Sequence, residues 1–146
     1  DMAEFFQAFG PLYEGFQARA REVGKLLQAQ GTLFLLVAGP GGERIPDALF
    51  FARRLREGGH HLGPIVVNQM HPEVPDARAA GNIAAGLDLL AWLGHRDHAG
   101  FAELRSLLTG RDVVVGLPLL PKPPTDLAAL DLLGQSLLRT LAAARA

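Results

Sequence analysis

The chain has 146 residues, 49% of them hydrophobic, and its formal net charge is −1 from 14 basic and 15 acidic residues. This length allows one ordinary hydrophobic core, and the near-neutral charge excludes the basic field that binds nucleic acids or anionic membranes. The absence of cysteine excludes disulfides, thiolate metal sites and thiol catalysis, and it favours a cytoplasmic location.

The first predicted element is a helix over residues 3–29, and the break or kink expected at Gly10–Pro11 lies inside it. Apolar side chains recur along it at helical spacing and therefore share one face: Phe5, Phe9, Leu12, Phe16, Ala20, Val23 and Leu27. We interpret this aromatic face as part of the core. The alternative is an exposed surface that binds an apolar partner.

Three apolar runs predict strands of the parallel type that is buried on both faces, at residues 32–38, 63–68 and 112–117. A helix that begins near Pro46 and ends before Gly58 joins the first two strands into a right-handed βαβ unit. The spacing of Ala48, Phe51, Ala52 and Leu55 predicts its inner face.

The crossover to the third strand is predicted as a loop over 72–82 and two helices. The first, over 83–93, buries Leu87, Leu90 and Trp92 and stops at Gly94, and the second spans 99–108. A last helix begins at Thr125 or Asp126. The sequence thus predicts one α/β domain over residues 1–146, with a parallel three-stranded sheet flanked by helices.

No catalytic residue and no metal-binding residue is predicted. The histidines lack carboxylates at ligand spacing on the same element, and His95 and His98 are expected to lie on either side of a helix end. Ser106 and Ser136 fall inside helices and outside any nucleophile-elbow motif.

A ligand site is predicted where the three strands end, because parallel strands present their carboxyl ends at one edge. At this edge the carboxamide of Asn68, followed by Gln69, can hydrogen-bond the edge of a purine base. The stiff apolar turn of Pro118, Leu119 and Leu120 can cover the flat face of the base. The alternative is that Asn68 only caps or turns its loop. The glycine-rich segment 39–42 lacks the phosphate-loop pattern and is interpreted as a turn.

Several of these segments, taken in order, resemble the later half of arsenite-pump-type (ArsA-like) ATPases. The resemblance rests on the residues Phe9-Gly10-Pro11-Leu12-Tyr13-Glu14-Gly15-Phe16, the strand 32–40, the helix segment 48–55 and the run Val66-Val67-Asn68-Gln69-Met70-His71-Pro72. It covers most of residues 5–72 and then thins to the Gly116-Leu117-Pro118 strand end and the final helix. The family includes anion-transporting ATPases and ATPases that target tail-anchored membrane proteins.

The resemblance implies the C-terminal half of a Rossmann-like P-loop NTPase fold. It implies that Asn68 contacts adenine and that the turn at 118–120 flanks the base. ATP would be the cofactor, while the phosphate loop and the magnesium ligands would lie on an N-terminal half outside this chain, so that the chain alone would not hydrolyse ATP. The expected partners are that missing half and an apolar or membrane-protein client of the whole ATPase. Without the missing half, the apolar edge of strand 32–38 or the helix face beside it is left uncovered, so we expect a homodimer that uses that edge or the aromatic helix.

Overall fold

The computed structural model describes residues 2–74, 84–110 and 112–144, with side chains described from residue 13 in the first helix and from residue 86 in the third. The elements are α1 (Met2–Gln28), β1 (Phe34–Ala38), α2 (Ile45–Glu57), β2 (Leu62–Met70), α3 (Ala84–Leu107), β3 (Val114–Pro118) and α4 (Leu127–Ala143). A short 3-10 turn, Gly42–Arg44, precedes α2.

The three strands form one open sheet in the order β1–β2–β3, with β2 in the centre and both pairings parallel. The predicted α/β class, the three strands and their common direction are therefore confirmed. Because the three strands are parallel, their carboxyl ends lie at one edge of the sheet. This edge carries the candidate site.

One face of the sheet is closed by α2 and α3. Its core contains Ile65 and Val67 of β2, Ala48 and Ala52 of α2 and Leu104 of α3, and all five are buried. Ala48 and Ala52 were predicted to face inward, but Phe51 was too, and its side chain is mostly exposed against Phe50. Small side chains allow α2 to pack close to the sheet, and the larger phenylalanines stay outside.

The opposite face is covered only in part. Val66, Val115 and Leu117 are buried beneath the inner face of α4, which supplies Leu133, Leu137 and Leu141. Of the two predicted N-caps of α4, Thr125 and Asp126, the structure has Asp126. Its Oδ1 accepts a hydrogen bond of 2.7 Å from the Ala129 N–H.

The prediction that β1 is buried on both faces is wrong. Leu35 and Val37 are 46% and 55% exposed, while Leu36 and Ala38 pack against the α2–α3 core. The strand register places Val37 opposite Val66 on the α4 side of the sheet. The cover that α4 gives to β2 and β3 does not extend to β1, which is an edge strand. We call Leu33, Leu35 and Val37, all exposed, the open row.

The prediction that Gly94 stops a helix is also wrong, because α3 is continuous from Ala84 to Leu107. A Cβ at position 94 would collide with the carbonyl oxygen of Pro72. Glycine is therefore needed here for the close approach of the segment after β2, and the helix continues through it. His95 and His98 consequently lie on one helix. Trp92, predicted to be buried, is mostly exposed.

Helix α1 is not broken at Gly10–Pro11. The prediction that its aromatic face is part of the core is wrong for the described side chains, since Tyr13 and Phe16 are 63% and 65% exposed. The end of α1 is held by a 2.8 Å hydrogen bond from Gln28 Nε2 to the Gly58 carbonyl. The side chains of Phe5, Phe9 and Leu12, and most of the predicted loop at 72–82, lie outside the described part of the chain.

Candidate functional site

The carboxyl end of β2 contains a β-bulge. Val67 pairs with Gly116 and Met70 pairs with Pro118, so three steps along β2 match two along β3. Gln69 takes up the extra residue with a φ of 64°, in the left-handed region that few residues other than glycine adopt. The Asn68 side chain supports this turn, because its Oδ1 accepts a 3.0 Å hydrogen bond from the Gln69 N–H.

The bulge lies next to the proline-rich turn. Beyond the Met70–Pro118 pair, the Leu119 N–H donates a 2.7 Å hydrogen bond to the Met70 carbonyl. The structure thus brings the Asn68–Gln69 segment beside the turn that contains Pro118, Leu119 and Leu120. Alternation along the strand places Asn68 on the same face of the sheet as Val66, which is the face that α4 covers.

Asn68 retains hydrogen-bonding capacity despite its local role. Its carbonyl oxygen has two lone pairs, of which Gln69 occupies one, and both Nδ2 hydrogens lack a partner among the described residues. The side chain is half-buried, whereas Gln69 is exposed. The chemistry of an adenine edge, a ring nitrogen that accepts and an amino group that donates, fits this remaining donor and acceptor set.

An apolar cavity of about 400 Å³ lies between the proline-rich turn and α4. Its walls include Pro118, Leu120 and Pro121 from the turn and Leu132 and Leu133 from α4. This volume falls within the roughly 300–1,000 Å³ of small-molecule sites. Asn68, Gln69 and Leu119 do not line it, so the cavity and the carboxamide are neighbours along the edge and do not form one closed pocket.

A second cavity, of about 440 Å³, opens at the same edge on the α3 side. Pro118 borders both cavities, and the residues that distinguish the second are His71 and Glu73 after β2 and His98 and Phe101 on α3. His98 Nδ1 lies 3.6 Å from Glu73 Oε1. The α3 side of the edge is therefore the more polar one.

Asp97 is the buried charge behind this second cavity, and none of its area is exposed. Its Oδ2 accepts hydrogen bonds from the His71 N–H at 3.0 Å and from His71 Nδ1 at 2.7 Å. Its Oδ1 accepts from Arg96 Nε at 3.2 Å and from a terminal Arg96 nitrogen at 2.9 Å. The Arg96 guanidinium also lies 5.4 Å from the centre of the Trp92 ring.

The pKa of Asp97 reflects two opposing effects. Burial alone raises it, but the hydrogen bonds from the His71 main chain, the His71 ring and Arg96, together with the Arg96 charge, outweigh burial and hold the pKa below its ordinary 3.8. The carboxyl group is therefore ionised at neutral pH.

Sequence reasoning missed the His71–Asp97 pair, because the two residues lie 26 positions apart and Gly94 was read as a helix end. The signal was present: Gly94, Asp97, Phe101 and Leu104 follow helical spacing, so a carboxylate stands on the inner face of a helix. A charge at such a position requires a partner.

Within the described ranges, no group of three or more His, Asp or Glu side chains is arranged to hold a metal ion. None of the described helices is long and apolar enough to cross a membrane. In the comparisons with known proteins, no protein-family model matches the chain, and no curated protein is significantly similar to it in sequence.

Proposed function

We propose that this chain is the base-recognition part of an ArsA-like ATPase of the P-loop NTPase class. The observation that carries the proposal is the bond from the Leu119 N–H to the Met70 carbonyl, next to the Met70–Pro118 pair. These contacts fix the Asn68–Gln69 bulge beside the proline-rich turn at the carboxyl edge of a parallel sheet, where open α/β sheets bind their ligands.

Each part of the edge has a role in this proposal. Asn68 donates from Nδ2 and accepts at the second lone pair of Oδ1, which discriminates adenine from bases with other edges. Pro118, Leu119 and Leu120 cover the flat face of the base, and the apolar cavity beneath the turn accommodates part of the ring. Bound ATP would supply the phosphate chemistry, on a phosphate loop and magnesium ligands outside these 146 residues.

The isolated chain is expected to bind adenosine and ATP about equally and weakly, because phosphates are held mainly by backbone amides and a lysine of the phosphate loop. Two-dimensional NMR of the labelled chain, titrated with adenosine to millimolar concentration, should shift the amide signals of Asn68, Gln69, Leu119 and Leu120. Asn68→Ala should weaken binding about tenfold through the lost hydrogen bonds. Gln135→Ala, at an exposed position of α4, is the control.

Calorimetry of the chain with ATP and magnesium tests the expected weak binding. Tight, magnesium-dependent binding to residues 1–146 would contradict the proposal, as would adenosine shifts confined to residues remote from this edge. A coding region upstream that specifies a Gly-Lys-Gly-Gly-x-Gly-Lys-type loop would identify the parent ATPase.

A second candidate function is an interaction module that binds an apolar partner through α1. The exposure of Tyr13 and Phe16 favours it, since large aromatic side chains at helical spacing are seldom left in water. A labelled Leu/Ala-rich peptide of about 20 residues, the length of a membrane span, should bind the chain and lose affinity on Phe16→Ser. Phe50→Ser, an equally exposed phenylalanine on α2, is the matched control. Equal binding by both variants would contradict this function.

A further inference from the structure

The cavity on the α3 side has one well-fixed polar group in a largely apolar lining. Buried Met70 and Phe101 of α3 line it, and Pro118 borders it. The His71 ring also lines it, with 21% of the side chain exposed. A mostly apolar cavity with a few fixed polar groups is the usual composition of a small-molecule site.

Asp97 determines which nitrogen of His71 carries the proton. The carboxylate is ionised and can only accept, so the His71 nitrogen 2.7 Å from it, Nδ1, must donate. In the neutral ring this leaves the lone pair on Nε2. The second contact, from the His71 main chain to the same oxygen at 3.0 Å, fixes the backbone that carries the ring.

His71 lines the cavity, and one nitrogen of its ring is free for a ligand. Nδ1 points towards the buried carboxylate, and Nε2 lies on the far side of the ring with no hydrogen-bond partner among the described residues. The segment that carries the ring cannot move closer to α3, because Gly94 already lies against the Pro72 carbonyl, and the two hydrogen bonds to Asp97 keep it from moving away. The acceptor is therefore held in place before any ligand binds, which lowers the entropy cost of binding.

We propose that this cavity binds a small, uncharged, mainly apolar ring compound that donates one hydrogen bond to Nε2 of His71. A compound without a donor leaves the imidazole lone pair desolvated and unpaired, which costs affinity. A ligand with a carboxylate binds less tightly, because it is repelled by the lone pair of His71 Nε2 and by the side chain of Glu73, which also lines the cavity. The site is separate from the proposed nucleotide edge, since Asn68 lies on the α4 side of the sheet and the cavity lies on the α3 side.

Three ring compounds of similar size test the proposal: 4-methylphenol, toluene and 4-methylbenzoate. We expect 4-methylphenol to bind with a Kd on the order of 1 mM, about tenfold tighter than toluene and 4-methylbenzoate. In histidine-side-chain NMR, free His71 should be protonated at Nδ1, and 4-methylphenol should shift its Nε2 resonance. Equal affinity for the phenol and toluene, tighter binding of the benzoate, or a proton on Nε2 of free, neutral His71 would each overturn the proposal.

His71→Phe keeps an aromatic wall and removes the acceptor, so it should reduce 4-methylphenol binding to the level of toluene. His61→Phe, at an exposed position before β2, is the matched control and should leave binding unchanged. The tautomer measurement uses the unaltered chain and decides the outcome even where His71→Phe fails to fold. Adenosine shifts at Asn68, Gln69, Leu119 and Leu120, none of which lines this cavity, test the nucleotide proposal separately, so that either proposal can fail while the other stands.

Discussion

Apolar residues are tightly packed around α3, whereas several apolar residues of β1 and α1 are exposed. Around α3 the backbones nearly touch: Gly94 faces the Pro72 carbonyl after β2, and a Cβ on Gly100 would lie 2.8 Å from the Gly41 main chain after β1. At β1 the open row stays in water, as do the aromatic side chains of α1. Both regions are rich in apolar residues, so composition does not distinguish them.

This comparison indicates that an apolar side chain is buried only where a neighbouring helix or strand can pack closely against it. Helix α3 has small residues at the positions that approach other backbones, which allows the larger side chains beside them, such as Leu104, to reach the core. Helix α1 presents Tyr13 and Phe16, but the residues after it lead into an edge strand without placing these rings on the open row. The variants below test whether tight backbone contacts and exposed apolar side chains affect stability as differently as the structure indicates.

The largest expected effect is at the closest backbone contact. Gly94→Ala should lower the free energy of unfolding by about 4 kcal/mol, since neither the helix backbone nor the Pro72 carbonyl can move without opening the core. Gly86→Ala is the matched change on the same helix, with no atom within 4 Å of the added Cβ. It should stabilise by about 0.5–1 kcal/mol through helix propensity, as measured by urea denaturation. Equal effects of the two changes would refute the close contact.

The next effect concerns the buried charge. Asp97→Asn should cost about 3 kcal/mol at neutral pH, because it leaves Arg96 and the His71 N–H without their ionised partner. Asp88→Asn, at an exposed position of α3, should stay within about 0.5 kcal/mol.

The same carboxylate makes stability depend on pH. The pKa of Asp97 is lower in the folded chain than its ordinary 3.8, so its contribution is complete above that value and is lost as the pH falls through the lower folded pKa. Urea denaturation at a series of acidic pH values should therefore show a smaller difference between wild type and Asp97→Asn than at pH 7. A constant difference would contradict the lowered pKa.

The smallest effect on stability is expected at the open row. Val37→Lys should change the free energy of unfolding by less than about 0.5 kcal/mol, because the side chain is already in water. It should nevertheless weaken the homodimer predicted from the sequence, since an uncovered apolar edge favours self-association. Sedimentation velocity measures this, with Phe50→Lys as the control. A monodisperse wild-type monomer at high concentration would contradict the predicted dimer.

The sequence was sufficient where a local pattern decides the structure. Apolar runs between glycine and proline located all three strands, and their type predicted parallel pairing. The cap of the last helix was narrowed to Thr125 or Asp126, and Asp126 is the cap. The sequence was not sufficient where a residue far along the chain determines the structure. Gly94 suggests a helix end, but glycine is required there because the Pro72 carbonyl, 22 positions away in sequence, lies against it. Leu35 and Val37 read as buried because the sequence shows that they are apolar and does not show what covers them.

Part of the candidate site could likewise be predicted from local sequence, and part could not. The strand-end rule located the edge and the neighbouring turn at Pro118, both from local sequence. The cavity on the α3 side depends on the tertiary pairing of His71 with Asp97, and no spacing rule within one element could assign it. The adenine contact of Asn68 and the membership of an ATPase family stay predictions.

The bulge at Gln69 also inverts the order in which side chains face the two sides of the sheet. In uninterrupted alternation Met70 would share the α4 side with Val66, yet it packs in the α2–α3 core with Val67. The bulge absorbs the additional residue at position 69, so Met70 stays paired with Pro118 and lies on the same side as Val67. A chain without residue 69 would keep Met70 on this side through ordinary alternation, but it would lose the turn in which the Gln69 N–H donates to the Asn68 carboxamide.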